Sequence, residues 1–232
     1  LRQAIVSSTD PSPAGFAALA ERAVAMARAV PEDPFGGLAD APDGLVSVDF
    51  DLFDDTAEPD ADALAARAAA AEEAALAVSG VNNSEGAEAG FGRTAIALAA
   101  SNGFAGEYRR TSHSISVTAL AGQGTAMERD YDYSYAVHLS DLEDPALLGR
   151  RAGERAVARL NTRRPKTAKL PVVYDPRVAG SLLGHLAGAI NGAAVARGTS
   201  FLKDKLGQRV LPAGLTVVDD PTRRRGLRSK PF

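Results

Sequence analysis

The chain has 232 residues, 45% apolar and 24% charged, with a formal net charge of −3 and no cysteine. That length suits one large domain or two ordinary ones, and the charge offers no basic field for nucleic acid or an anionic membrane. The absence of cysteine excludes disulfides, thiolate nucleophiles and cysteine-based zinc or iron–sulfur sites and fits a cytoplasmic protein, while no apolar run reaches the ~20 residues of a membrane span.

Leu1-Arg2-Gln3-Ala4-Ile5-Val6 reads as a strand. Ser12 to Val30 reads as a helix: Pro13 stands in the first turn, and Phe16, Leu19, Ala20, Ala23, Val24 and Ala27 recur three and four apart. Residues 31–60 are rich in proline and aspartate and read as a loop with one short strand at Leu45 to Phe50. Asp60 to Val78 is an alanine-rich helix with Gly80 just beyond it, and its acidic residues form a solvated face.

From Val81 to His138 the period changes to two. Ser101-Asn102-Gly103 and the pair Gly122 and Gly124 are turn signals, so the segment predicts a meander of four or five antiparallel strands. Asp130 and Asp132 share one strand face, as a hydrophilic surface or as paired carboxylates. Tyr131, Tyr133 and Tyr135 opposite them read as core or interface. Asp144 to Leu160 is again helical, and Arg150, Arg151, Arg155 and Arg159 near its end suit the helix dipole. Asn161 to Lys169 reads as a linker, Leu170 to Tyr174 as a strand, Arg177 to Arg197 as a helix, and Leu215 to Val218 as another strand before an Arg-rich turn at Arg223 to Arg228. Asp219 and Asp220 belong to a turn before Pro221. Strands and helices are partly segregated, which makes the class α+β.

The helix "LLGHLAGAINGAAV" carries the functional question. Leu182, Leu183, Leu186 and Ile190 form one face, and Gly184, Gly188 and Gly192 form a strip on which another backbone is expected to close. A zinc-protease helix needs two imidazoles that reach one ion, with a glutamate to take a proton from the bound water. Here Ala189 stands four residues after His185, and no glutamate occurs between Leu170 and Phe232. A site gathered from His113, His138 and His185 is the remaining metal arrangement, and single packing histidines are the competing reading. There is no Gly-x-Ser-x-Gly elbow and no phosphate-binding loop.

The stretches "VNNSEGAEAGFGRT", "GEYRRTSHSISV", "MERDYDYSYAVH", "LPVVYDPRVAGSLLGHLAGAINGAAVARGTSFLKDKLG" and "LTVVDDPTRRRGLRSKPF" resemble the TldD/PmbA family, and within it the PmbA, or TldE, branch. The resemblance implies a largely antiparallel or mixed sheet with flanking helices, with an N-terminal α+β domain over 1–165 and the start of a C-terminal domain over 166–232. Family members are about twice as long, so the resemblance also implies that the second domain is incomplete at Phe232. The catalytic branch carries His-Glu-x-x-x-His on the matching helix. Aligning the leucines sets Gly184 at the first histidine, His185 at the glutamate and Ala189 at the second histidine. By resemblance, then, no residue is catalytic, none holds metal and no cofactor is bound. The chain would be the partner of a TldD-type catalytic subunit in a metalloprotease acting on peptides or unfolded proteins, with a homo-oligomer as another assembly. The alternatives are a stand-alone peptide- or protein-binding module and a gyrase-modulating regulatory protein.

Overall fold

The computed structural model describes residues 1–34, 36–38, 49–56 and 58–232. Helix α1 spans Pro13–Ala29 and α2 Ala61–Leu76; strands β1 (Val81–Ala99), β2 (Ala105–Ala121) and β3 (Glu128–Ala136) follow, then α3 (Pro145–Ala158), α4 (Pro176–Ile190) and α5 (Gly192–Ala196). Helix starts follow local chemistry. The side chains of Ser12, Asp60, Asp144 and Asp175 each accept a bond from an amide of the first turn, and proline opens α1, α3 and α4.

The strands form one antiparallel sheet in the order β1-β2-β3. Between Val81 and His138 there are three strands, not four or five, because β1 runs unbroken through Gly86, Gly90 and Gly92. Register shifts at its start, between Val81 and Asn83 and between Ser84 and Gly86, absorb the irregular residues, with Gly86 at a φ of +104°. Helices α2 and α3 cover one face. Ala71 and Ala75 of α2, Ile115, Val117, Ala119 and Ala121 of β2, and Leu148, Ala152 and Ala156 of α3 make the main core. The helices approach so closely that a Cβ built on Gly149 falls 2.0 Å from the Ala71 carbonyl oxygen, and one on Gly153 falls 2.9 Å from that of Ala75. A second cluster joins Phe50, Leu52 and Val137, with Tyr108 packed against it.

Three expected strands are not formed. Leu1–Val6 has no strand structure: the Leu1 carbonyl accepts the Asp33 amide at 2.6 Å, its amino group donates to the Asp33 carbonyl at 3.1 Å, and the Arg2 side chain donates to the Arg28 carbonyl at 2.5 Å. Residues 170–174 and 215–218 lack strand structure, and Leu170, Val172, Val173, Leu215 and Val218 are exposed. Among the described residues no strand lies beside them, and a strand needs a partner for its backbone groups. Of the expected strand at Leu45 to Phe50, residues 45–48 lie outside the described residues, and Asp49 and Phe50 are irregular. Among the described residues, no helix is long and apolar enough to cross a membrane.

Candidate functional site

Helix α4 is set by Asp175, whose carboxylate accepts the Arg177 amide at 2.9 Å, and by Pro176 in its first turn. It ends at Asn191, which caps the short α5 by accepting the Ala193 amide at 3.0 Å, so the predicted single helix is two. Gly184 and His185 are exposed, while Ala189 is 8% exposed. Among the described residues nothing lies within 4 Å of a Cβ built on Gly184, Gly188 or Gly192. The close backbone approach expected at that strip occurs instead at Gly149 and Gly153 of α3. The zinc that a protease of this type would hold does not fit these residues. Gly184 and Ala189 carry no donor atom, and one imidazole leaves three of zinc's usual four positions without a protein ligand. No group of three or more His, Cys, Asp or Glu side chains among the described residues is arranged to hold a metal.

Two of the three histidines do come together, and they meet on a carboxylate that sequence reasoning missed. His113 Nε2 lies 3.2 Å from Asp54 Oδ2, and His138 Nδ1 lies 3.8 Å from Asp54 Oδ1. His138 Nε2 is also 3.1 Å from Asp51 Oδ1. His185 is not part of the group. His113 is 1% exposed on the covered face of β2, tilted against Phe91 with ring centroids 5.1 Å apart, and neither of its nitrogens has hydrogen-bond geometry to a described partner. Burial lowers its pKa, and the nearby Asp54 only partly opposes this. Burial also opposes ionisation of Asp54, but the amides of Leu139 and Thr56 and the neighbouring His138 outweigh it, so its carboxyl stays ionised far below the usual range. Thr111 ties the pieces together: its hydroxyl accepts the Asp54 amide and donates to the Val137 carbonyl, both at 2.8 Å. Beyond Asp51 the network reaches the predicted Arg-rich turn. Arg225 donates to Asp51 at 2.6 Å and to Asp141 at 3.0 Å, and Arg224 reaches Asp49 at 3.0 Å. Asp51 and Arg225 both have positive φ, near +51° and +52°. The arrangement links loop 49–56 to the sheet and to the chain's last residues.

The other large constellation reverses the reading of β3. Asp130 and Asp132 are buried, 6% and 4% exposed, on the helix-covered face, while Tyr131, Tyr133 and Tyr135 face outward at 49%, 38% and 56%. The arginines of α3 explain it. Arg151 and Arg155 meet the two oxygens of Asp132 at 2.5 and 3.0 Å, and Arg159 reaches Asp130 at 3.3 Å. Arg177, from the first turn of α4, donates to Asp130 at 2.7 Å and to the Tyr131 carbonyl at 2.7 Å. Burial again opposes ionisation of Asp130, and the bonds from Arg177, the Tyr131 amide and Arg159 prevail and lower its pKa. These arginines therefore neutralise buried carboxylates, and Arg155 and Arg159 do so from the last turn and C-cap of α3, where their charge also suits the helix dipole. Asp220 forms the predicted turn, accepting the Thr222 amide at 2.9 Å.

A three-stranded antiparallel sheet backed by α2 and α3 and followed by the glycine-rich helix α4 defines an α+β protein. The same fold is seen in a Bacteroides thetaiotaomicron protein described as a candidate modulator of DNA gyrase, with a TM-score of 0.82 and 26% identity over 95% of this chain and 51% of that one. It recurs in a Thermotoga maritima protein described likewise, with a TM-score of 0.74 and 21% identity over 93% of this chain and 49% of that one. Residues 54–160 match the PmbA/TldA metallopeptidase central domain, and residues 167–232 match the C-terminal domain. The chain belongs to the PmbA/TldD family. It is 38% identical to the metalloprotease PmbA of Escherichia coli O157:H7, over all of this chain and 52% of that protein, and 32% identical to a PmbA homologue of Haemophilus influenzae, over 97% of this chain and 50% of that protein. The chain thus spans about half the length of the curated relatives it matches.

Proposed function

We propose that this chain is a PmbA/TldE-branch member that lacks its own metal centre and serves as the non-catalytic subunit of a cytoplasmic metalloprotease acting on peptides or unfolded proteins. A TldD-type partner carrying His-Glu-x-x-x-His supplies the zinc and the proton acceptor. The domain division falls near residues 165 and 166. One observation carries the reading: on α4, at the positions aligned with the zinc motif, stand Gly184, His185 and Ala189, which provide one imidazole and no carboxylate. The family relationship supports the protease context, and the metalloprotease name of the Escherichia coli relative agrees with it.

The test pairs elemental analysis with a peptide-cleavage assay. The protein alone should bind no stoichiometric zinc and cleave nothing. Cleavage should appear when the motif-bearing partner is added and vanish when that partner's glutamate is replaced. One zinc per chain, or chelator-sensitive cleavage by the protein alone, overturns the proposal. A second reading, a stand-alone peptide- or protein-binding module, is favoured by the exposed row of Tyr131, Tyr133 and Tyr135, since exposed tyrosines are enriched at protein-binding surfaces.

A further inference from the structure

Beyond the covalent linker, the segment that follows α3 is attached to the rest of the molecule at two places. The first is Arg177, in the first turn of α4. Its Nη1 donates to Asp130 Oδ1 and to the Tyr131 carbonyl, each at 2.7 Å, and its guanidinium lies 5.2 Å from the centre of the Tyr131 ring. The second is the arginine turn. The Arg225 amide donates to the Phe50 carbonyl at 2.8 Å, and the Arg225 side chain holds Asp51 and Asp141. Arg110 of β2 donates to the carbonyls of Gly226, Leu227 and Ser229. Phe232 packs edge-on against Phe104 and Tyr108, with ring centroids 5.5 and 5.2 Å apart.

Among the described residues little else holds the segment. From Asp175 to Asp219, the described hydrogen bonds that leave it all come from Arg177. Of the helices and strands, only α5 packs substantially against α4. A Cβ built on Gly180, Gly184, Gly188 or Gly192 meets nothing described beyond its own helix within 4 Å, and Val178, Leu182, Leu183 and Ile190 are exposed. Ala189, the buried residue of α4, is bonded from within the segment: the Ser200 hydroxyl donates to its carbonyl. The linker before Arg177 is equally free. Residues 162–175 are exposed and contain no helix or strand. Such a stretch, at ~3.3 Å per residue, can reach tens of ångström.

The two attachments are unequal. Several arginines, backbone bonds and an aromatic cluster hold the turn, whereas one side chain holds α4. We propose that Arg177 is the latch of a hinged lid. In the closed state it pins α4 to the start of β3. When it lets go, α4 swings out on the 162–175 linker, and the turn at 223–229 stays in place as the hinge. Two features make Arg177 a latch rather than a permanent rivet. Its side chain keeps 20% exposure, so water reaches it as it leaves. Asp130 is buried, and a buried carboxylate left alone would oppose opening, but Arg159 at 3.3 Å remains to pair with it. The grip depends on the guanidinium fork: Nη1 spans Asp130 and the Tyr131 carbonyl while Nε meets Asp175 at 3.1 Å, which the point charge of a lysine does not reproduce. The device needs neither a metal nor a catalytic partner and stands apart from the subunit role.

The test is a pair of distance measurements. The chain has no cysteine, so spin labels attach only where cysteines are introduced. Pulsed electron–electron double resonance compares Glu73→Cys on α2 with Ser181→Cys on α4, and Glu73→Cys with Arg228→Cys in the turn; all three positions are exposed. With Arg177 intact, both pairs should give single narrow distributions. Arg177→Gln should broaden the Glu73–Ser181 distribution and lengthen it by about 10 Å or more, within the reach of the linker, and should leave Glu73–Arg228 unchanged. Arg177→Lys should fall between the two. Asp130→Asn, which weakens the other half of the latch, should act in the same direction as Arg177→Gln. An unchanged Glu73–Ser181 distribution in Arg177→Gln overturns the proposal. So does a distribution already as broad with Arg177 intact, which would mean that nothing is latched. Equal broadening of both pairs would show general loosening instead of a hinge and would also overturn it.

Discussion

Adding one methyl group at Gly149 should destabilise the protein, while the same change at Gly184 should stabilise it. Alanine is favoured over glycine in a helix interior by ~1 kcal/mol, and this gain applies at both positions. At Gly184 nothing opposes it, because no described atom lies within 4 Å of the added Cβ. At Gly149 the Cβ would sit 2.0 Å from the Ala71 carbonyl oxygen, 2.9 Å from its carbonyl carbon and 3.0 Å from the Ala74 Cβ. Relief requires α2 and α3 to separate by about 1 Å, and the neighbours that would be pulled apart, Ala71, Ala75, Leu148, Ala152 and Ala156, are fully buried. Overpacking costs ~1–3 kcal/mol, and a clash against backbone belongs at the upper end. Subtracting the propensity gain leaves about 2 kcal/mol of destabilisation for Gly149→Ala. For a chain of this size that lowers Tm by ~4–8 °C, and Gly184→Ala raises it by ~2–4 °C. Thermal melts followed by circular dichroism measure both. A Tm for Gly149→Ala equal to or above wild type would refute the argument that these helices meet backbone to backbone.

Asp132→Asn should cost ~1–3 kcal/mol in urea unfolding: Asp132 is buried between Arg151 and Arg155, and the partial exposure of those arginines holds the loss below that of a fully buried pair. Stability should also fall on mild acidification. His113 has a folded pKa below its ordinary 6.5, so its contribution is complete above pH ~6.5 and is lost as pH falls from there through the folded value. His113→Phe should flatten the Tm profile between pH 8 and 5.5, and an unchanged profile would show that His113 is not the group responsible. A second acid loss should come from Asp130, whose lowered pKa gives stability that is present above about 3.8 and lost as pH falls below it; Arg177→Gln should diminish that step in acid titrations followed by fluorescence.

The helices were legible in the sequence because their caps are local, and β2 was legible because Ile115, Val117 and Ala119 are apolar and buried in turn. Strand β3 was misread because alternation alone does not say which side is inside. Burying apolar groups is the usual solution, yet here the covered side holds Asp130 and Asp132, made tolerable by arginines from another element. A signal was present: Arg151, Arg155 and Arg159 recur every four residues, and Glu128, Asp130 and Asp132 every two. The Asp54 group was invisible for a different reason. It joins residues 57 or more positions apart, through a loop whose composition reads only as irregular. The ligand atoms that α4 can offer were readable from the sequence, since Gly184, His185 and Ala189 bring one imidazole and no carboxylate whatever the tertiary fold.

The arginine row and the carboxylate row work as a vernier. Four helical residues advance ~6.0 Å and two strand residues ~6.8 Å, so each rung slips by a little under 1 Å. Over three rungs, long flexible side chains absorb the mismatch, and the split engagement of Asp132 by two arginines is where it shows. Each added rung would widen the mismatch by only the same small step. Insertions in this hairpin and helix must therefore arrive together, two residues in β3 with four in α3. A single-residue insertion in β3 would turn the carboxylates to solvent and the tyrosines towards the arginines.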